Sequence, residues 1–185
     1  MLTDDEIRQN KDEVISRLRS TGRDGIENVI DYLLNSGYFY LPGSFKHHKY
    51  KGGLAEHSLE VMNYALTNNK SCDESSIIIS ALLHDLCKTK YVFPEDLELV
   101  GHGSKSAGIL ELFLNFPLSH EEHNAIRFHM AGKAFIRNDD DARRYKDAKK
   151  SELWELIHTG DLISAGGYHN SIRGVIKKIV SIGIF

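Results

Sequence analysis

The chain has 185 residues with 23 basic and 26 acidic side chains, so its net charge is −3 and its pI about 6.4. That balance excludes the broad basic footprint that long duplex nucleic acid requires. A length of this order fills one domain with a full core and needs no disulfide or zinc staple. The longest near-apolar run, Ile77 to Leu83, is too short to cross a bilayer.

The amino-terminal stretch is acidic and polar, unlike a signal peptide. Cys72 and Cys87 stand 15 apart outside any CxxC pattern, as reduced thiols of a cytoplasmic protein would. Ile7, Val14, Ile15 and Leu18 give a helical period from Thr3 to Arg19, with Thr3 as the N-cap. Ile26, Val29, Ile30, Leu33 and Leu34 repeat it over Asp24 to Asn35. A long loop follows to Gly53, with a proline and five aromatics, a composition that points to a functional loop. Helices are then read over Leu54 to Asn68 and Glu74 to Lys88, the latter apolar on most sides, as in the middle of a bundle. Ser104 to Phe116, His120 to Met130, Ser151 to Ser164 and Ser171 to Val180 complete the set. The highly charged stretch Lys133 to Lys150 reads as a short solvated helix or a loop. The three prolines, Pro42, Pro94 and Pro117, mark boundaries between helices. The fold class is all-α, a helical bundle in a single domain over 1–185.

Ten histidines are about twice what this length leads one to expect, and histidine is the commonest metal ligand. His84-Asp85 lies in the apolar helix, with Lys88 four residues from one and three from the other. A carboxylate and an ammonium in such a helix are costly unless paired or metal-bound. His57 opens an earlier helix after Gly52-Gly53, and Asp161 lies in a later apolar helix. Two nitrogens and two oxygens from three helices suit a borderline divalent metal. His120 and His123 sit at a polar helix start and are expected in solvent. His158, three residues before Asp161, is a candidate to support the ligands, and His169 is expected on the surface. Leu153, Trp154 and Ile157 form an apolar stripe that reads as core.

Taken in order, GGLAEHS, LLHDLCK, GHGSKSA, RFHM and TGDLISA resemble the HD-domain superfamily of metal-dependent phosphohydrolases over about 42–165. The nearest likeness is to phage and bacterial HD proteins, and beyond them to the HD domain of 3′–5′ exoribonucleases, where a His-His pair matching His47-His48 also precedes the Gly-Gly-Leu segment. The resemblance implies that His57, His84, Asp85 and Asp161 bind one metal. It further implies that His102 and His129 bind a second, with Asp85 as bridge. The exoribonuclease branch has adjacent histidines where this chain has His129-Met130.

The expected activity is hydrolysis of a phosphate ester using one or two divalent ions, with Mn, Fe, Ni, Zn or Mg as candidates. Asp85 and Lys88 are the expected catalytic pair. His48, Lys49, Lys51, Lys105 and Arg127 are candidates for substrate binding. The expected partner is a phosphorylated small molecule or a short single-stranded nucleic acid. The same ligand set also serves HD-fold di-iron oxygenases, and a non-catalytic metal- or nucleotide-binding module is the third possibility. An O₂-dependent reaction with iron would single out the first of these rivals.

Overall fold

The computed structural model describes residues 1–89, 99, 101–131, 136 and 138–166. Among them the regular structure is helical and no strand occurs. No helix of the described residues is long and apolar enough to cross a membrane. The expected helix over Ser171 to Val180, His169 and Pro94 lie outside the described residues.

The first helix, α1 (Asp4–Ser20), begins as its sequence demands. Thr3 Oγ1 accepts from the Glu6 amide at 3.2 Å, and the Glu6 carboxylate accepts from the Thr3 amide at 2.7 Å. Acidic residues fill its first turn and arginines its last, both favourable to the helix dipole. It buries Ile7, Val14 and Leu18. Helix α2 (Ile26–Asn35) starts at Gly25, whose φ of 80° a side chain would resist. Helix α3 (Gly53–Asn68) follows the aromatic loop, α4 (Glu74–Leu83) is capped by Asp73, and α5 (His102–Gly108) follows a glycine. Helix α6 (His120–Phe128) opens on a second reciprocal cap between Ser119 and Glu122. Helix α7 (Asp139–Ala148) occupies the charged stretch, capped by Asn138, and α8 (Glu152–Ser164) carries the last ligand candidate, Asp161, in its final turn.

Every residue of α4 from Ile77 to Leu83 is buried, and α1, α3, α6 and α8 pack around it. Each large side chain removed from water here contributes on the order of 1.5–3 kcal/mol. Helix α8 lies along α3 because residue 160 is glycine: a Cβ there would stand 3.2 Å from Val61 and Tyr64. Leu153, Trp154 and Ile157 are in the core, and the Trp154 indole donates to the Phe128 carbonyl at 2.9 Å.

Two helices differ from the sequence-based expectation, the first of them at the chemistry. The expected helix through Lys88 stops at Leu83. Asp85 takes φ −107° and ψ 22°, and a 3₁₀ turn covers Leu86–Lys88. The break is stabilised by side chains that take over the orphaned carbonyls: His84 Nδ1 donates to Ala81 O at 2.8 Å, and the buried Tyr38 hydroxyl donates to Leu82 O at 2.8 Å. The long-range partner, Tyr38, is invisible in local periodicity. Likewise the expected helix over Ser104 to Phe116 begins at His102 and widens into a π-turn over Ile109–Phe113.

Candidate metal centre

Three histidines converge by a shared device. His84 ends α4 and His129 ends α6, each as the C-cap residue. Each turns Nδ1 back onto a carbonyl of its own last turn, Ala81 O at 2.8 Å and Ile126 O at 2.7 Å. His57, in the second turn of α3, sets Nδ1 against Ser164 Oγ at 2.7 Å. A carbonyl can only accept, so Nδ1 of His84 and His129 carries the proton and Nε2 is left with its lone pair. The negative ends of α4 and α6 also point at this place, which favours a cation there.

The space in front of those nitrogens is anionic. Asp161 Oδ1 is 3.2 Å from His57 Nε2 and 4.0 Å from His84 Nε2. Asp85 faces both ways: Oδ2 lies 3.7 Å from His57 and 3.4 Å from His84, while Oδ1 lies 3.7 Å from His129. The break after Leu83 is what lets neighbours His84 and Asp85 address one centre. Lys88 contacts Asp85 Oδ2 from the 3₁₀ turn. All five ligand candidates on these helices, His57, His84, Asp85, His129 and Asp161, are buried.

Charge decides the protonation pattern. Burial pulls the His57 imidazole down and the His129 imidazole down to about 4, so both are neutral near pH 7. Burial opposes a charge on His84 as well, yet Asp85 and Asp161 outweigh it and the net shift is upward. For both aspartates burial acts upward and loses. Asp161, with His57 as its nearest partner and His84 beyond it, falls to about 2, and Asp85, against His84 and Lys88, falls well below the carboxylate range.

His57 Nε2 and His84 Nε2 are only 3.3 Å apart. A proton or a cation between them satisfies both atoms, and His129 Nε2 is buried with no hydrogen-bond partner among the described residues. The residues therefore fit a divalent ion. The donor atoms of His57, His84 and Asp161 lie within 4.8 Å of one another, as do those of His84, Asp85 and His129, and of Asp85, Cys87 and His102. His102 is exposed at the start of α5, so it reaches the centre from the solvent side.

The substrate candidates divide. Lys49 joins Lys88 and His102 around a cavity of ≈ 480 Å³ whose other wall is Leu41, Pro42 and Phe45. Lys105 joins the same two residues, with Cys87 and Met130, around one of ≈ 430 Å³. Lys51 instead pairs with Asp4 at 2.8 Å, and Arg127 with the buried Asp141 at 2.6 Å. His48 lies 3.2 Å from Glu60. His123, expected in solvent, is half-buried against Glu111 at 2.9 Å, because the π-turn brings Glu111 over α6. His158 stacks on Trp154 and donates to the His129 carbonyl at 2.6 Å, so it supports a ligand without facing the centre. Cys72 and Cys87 are free.

Sequence reasoning missed two participants, Ser164 and Glu60. Both had a readable signal, since each lies three residues beyond a ligand candidate on the same helix face.

A family model described as HD domain matches residues 54–155, just over half of the chain. The match begins three residues before His57 and ends six before Asp161, so Asp161 lies outside it and is brought to the cluster by the packing of α8. No curated protein and no solved structure matches the chain.

Proposed function

The chain belongs to the HD-domain family, and on that premise we propose that it is a metal-dependent phosphohydrolase acting on a nucleotide, an oligonucleotide or a related phosphate ester. One observation carries this reading: imidazole lone pairs and two ionised carboxylates converge on one buried point, with the Lys88 ammonium beside them. His57, His84, Asp85 and Asp161 would hold an ion of Mn, Fe, Ni, Zn or Mg. Asp85, His129 and His102 would hold a second. When bound, the metal supplies Lewis acidity, which activates water near neutral pH and draws charge from phosphoryl oxygens.

The protein's own groups do the rest. Lys88 lines both cavities and offers its ammonium to negative charge that develops on the phosphoryl group. Asp85, as a strongly stabilised carboxylate, is a poor proton acceptor, so its role is to orient the attacking water. Lys49 and Lys105 flank Lys88 and His102 on two sides and would bind phosphate oxygens. The wall of Leu41, Pro42 and Phe45 suits a flat apolar group carried by the same substrate, such as a base. Cationic groups on both sides of the centre match phosphate chemistry and have no role in activating O₂, which favours hydrolysis over an oxygenase reaction.

The test is a panel of phosphomonoesters and phosphodiesters, with and without a flat heteroaromatic group, assayed with each candidate metal in the absence of O₂. Metal-dependent release of phosphate or of a phosphoester product is expected. Turnover only with O₂, or none with metal bound, would remove the assignment. Replacing His102 or His129 should bring metal stoichiometry towards one; unchanged stoichiometry and rate in both variants would make the centre mononuclear.

A further inference from the structure

Two hydrogen-bond chains leave the histidine cluster and end on one carboxylate oxygen. On one side, His57 Nδ1 is 2.7 Å from Ser164 Oγ, and Ser164 Oγ is 2.6 Å from Glu60 Oε2. A carboxylate only accepts, so the single hydroxyl proton goes to Glu60, and Ser164 is left to accept from His57 Nδ1–H. On the other side, His48 Nε2 is 3.2 Å from the same Glu60 Oε2, and His48 Nδ1 is 3.1 Å from His47 Nδ1. A His48 ring carrying one proton donates it to Glu60 and accepts at Nδ1 from His47. His47, whose ring centroid is 4.9 Å from that of His57, then also keeps Nε2 bare.

We propose that Glu60 is a positioning residue that sets the tautomers of two histidines at once, His57 through Ser164 and His47 through His48, so that both keep an unprotonated Nε2. The inference rests on His57 being a metal ligand.

The fold is built to hold both chains. Glu60 lies one turn beyond His57 on α3, and Ser164 lies one turn beyond Asp161 on α8, so the same pair of helices supplies ligands in one turn and their support in the next. Gly160 permits the close approach of these helices. His48 is held with φ of 48°, a left-handed conformation that non-glycine residues rarely adopt. Its backbone is fixed by two glycines: a Cβ on Gly53 would stand 2.2 Å from His48 O, and one on Gly43 2.8 Å from His48 Cβ.

The need for such a device follows from the centre itself. Without Glu60, the Ser164 hydroxyl is free to turn and donate to His57 Nδ1. The His57 proton then moves to Nε2, where Asp161 Oδ1 waits at 3.2 Å. That alternative is well satisfied and cannot bind metal. Glu60 removes it by claiming the hydroxyl proton.

Glu60→Ala, Glu60→Gln and Ser164→Ala decide the matter with two measurements on metal-free protein: ring ¹⁵N spectra that report which imidazole nitrogen is protonated, and Zn²⁺ affinity by chelator competition. Wild type should show Nδ1–H at both His57 and His47. Glu60→Ala should move protons to Nε2 and weaken Zn²⁺ binding about 10-fold or more, the usual effect of losing a ligand's outer partner. Ser164→Ala should alter His57 and leave His47 unchanged. Glu60→Gln should restore His57, because its amide oxygen still accepts from Ser164. A Glu60→Ala protein with wild-type ring tautomers and wild-type Zn²⁺ affinity would overturn the proposal. Neither readout needs turnover, so a failed search for phosphatase activity leaves the outcome of this test standing.

Discussion

Lys88 shows how much a single residue gains from the chain's departure from helix. In a continued helix its side chain would lie on the face shared by His84 and Asp85; in the 3₁₀ turn it contacts Asp85 Oδ2 and lines two cavities. It is one-fifth exposed, so its charge is only partly screened by water. A group that acts on developing charge affects the chemical step more than binding. Lys88→Met keeps the stem and should lower kcat by about 10²-fold, by analogy with loss of one transition-state donor. Bound metal and Tm, measured on the same preparation, should change little. Wild-type turnover would take Lys88 out of the mechanism, whereas metal loss would make it part of the site's assembly. The residue type and its spacing from His84-Asp85 were legible in the sequence. Its partner atom was not, because the backbone break depends on Tyr38, 44 residues away from the carbonyl it caps.

Between helices, two contacts carry the site's alignment. Helix α5 crosses the end of α6 at Gly103, where a Cβ would stand 2.3 Å from both Ile126 O and Arg127 O. Ile126 O is also the acceptor that orients His129. Gly103→Ala must push the helices apart, at about 3 kcal/mol for an overpacked core position, or roughly 6–12 °C in Tm. It should weaken metal binding too, since the His129 acceptor moves; an unshifted Tm would mean that α5 yields without cost. The second contact is Glu122, fully buried at the start of α6. It accepts from Arg23 at 2.6 Å, from Ser76 at 2.8 Å and from the Ser119 amide at 2.7 Å, joining the α1–α2 turn, α4 and α6. Burial works against its charge, but these partners hold its pKa below the usual 4.5. A depressed carboxylate stabilises the fold fully above its unfolded value, and the contribution is lost as pH falls below 4.5 through the folded value. Glu122→Gln should therefore cost about 2 kcal/mol at neutral pH, less than for a wholly buried pair because Arg23 is partly exposed. The gap to wild type should close on acidification, and denaturant unfolding across that range checks it. A gap independent of pH would mean that shape, not charge, is what Glu122 contributes.

At the scale of the whole molecule, the metal centre is where α3, α4, α6 and α8 meet, so an ion bound there ties four helices of one core. Binding to the folded state alone stabilises by about 2.7 kcal/mol at a hundredfold excess over Kd, which for this size is a Tm rise of roughly 5–11 °C. A chelator should reverse the shift, and Asp161→Asn should abolish it; a metal-insensitive Tm in wild type would place the ion outside the core. The sequence by itself determined the helical class, the cap at Thr3 and the burial of α4, because these depend on periodicity and on residues within one turn of each other. It also offered His57, His84, Asp85 and Asp161 as ligand candidates, because polar residues in apolar helices need a partner; His102 and His129 were candidates only through the family resemblance. Only the tertiary structure decided which atoms face one another. It ended α4 one residue before His84, turned Lys51 and Arg127 to carboxylates elsewhere, drew His123 to Glu111, and joined His48, Glu60 and Ser164 behind the ligands. Each of those outcomes is a hydrogen bond or ion pair between distant segments, set by where the packed helices bring their ends, and no local pattern encodes that distance.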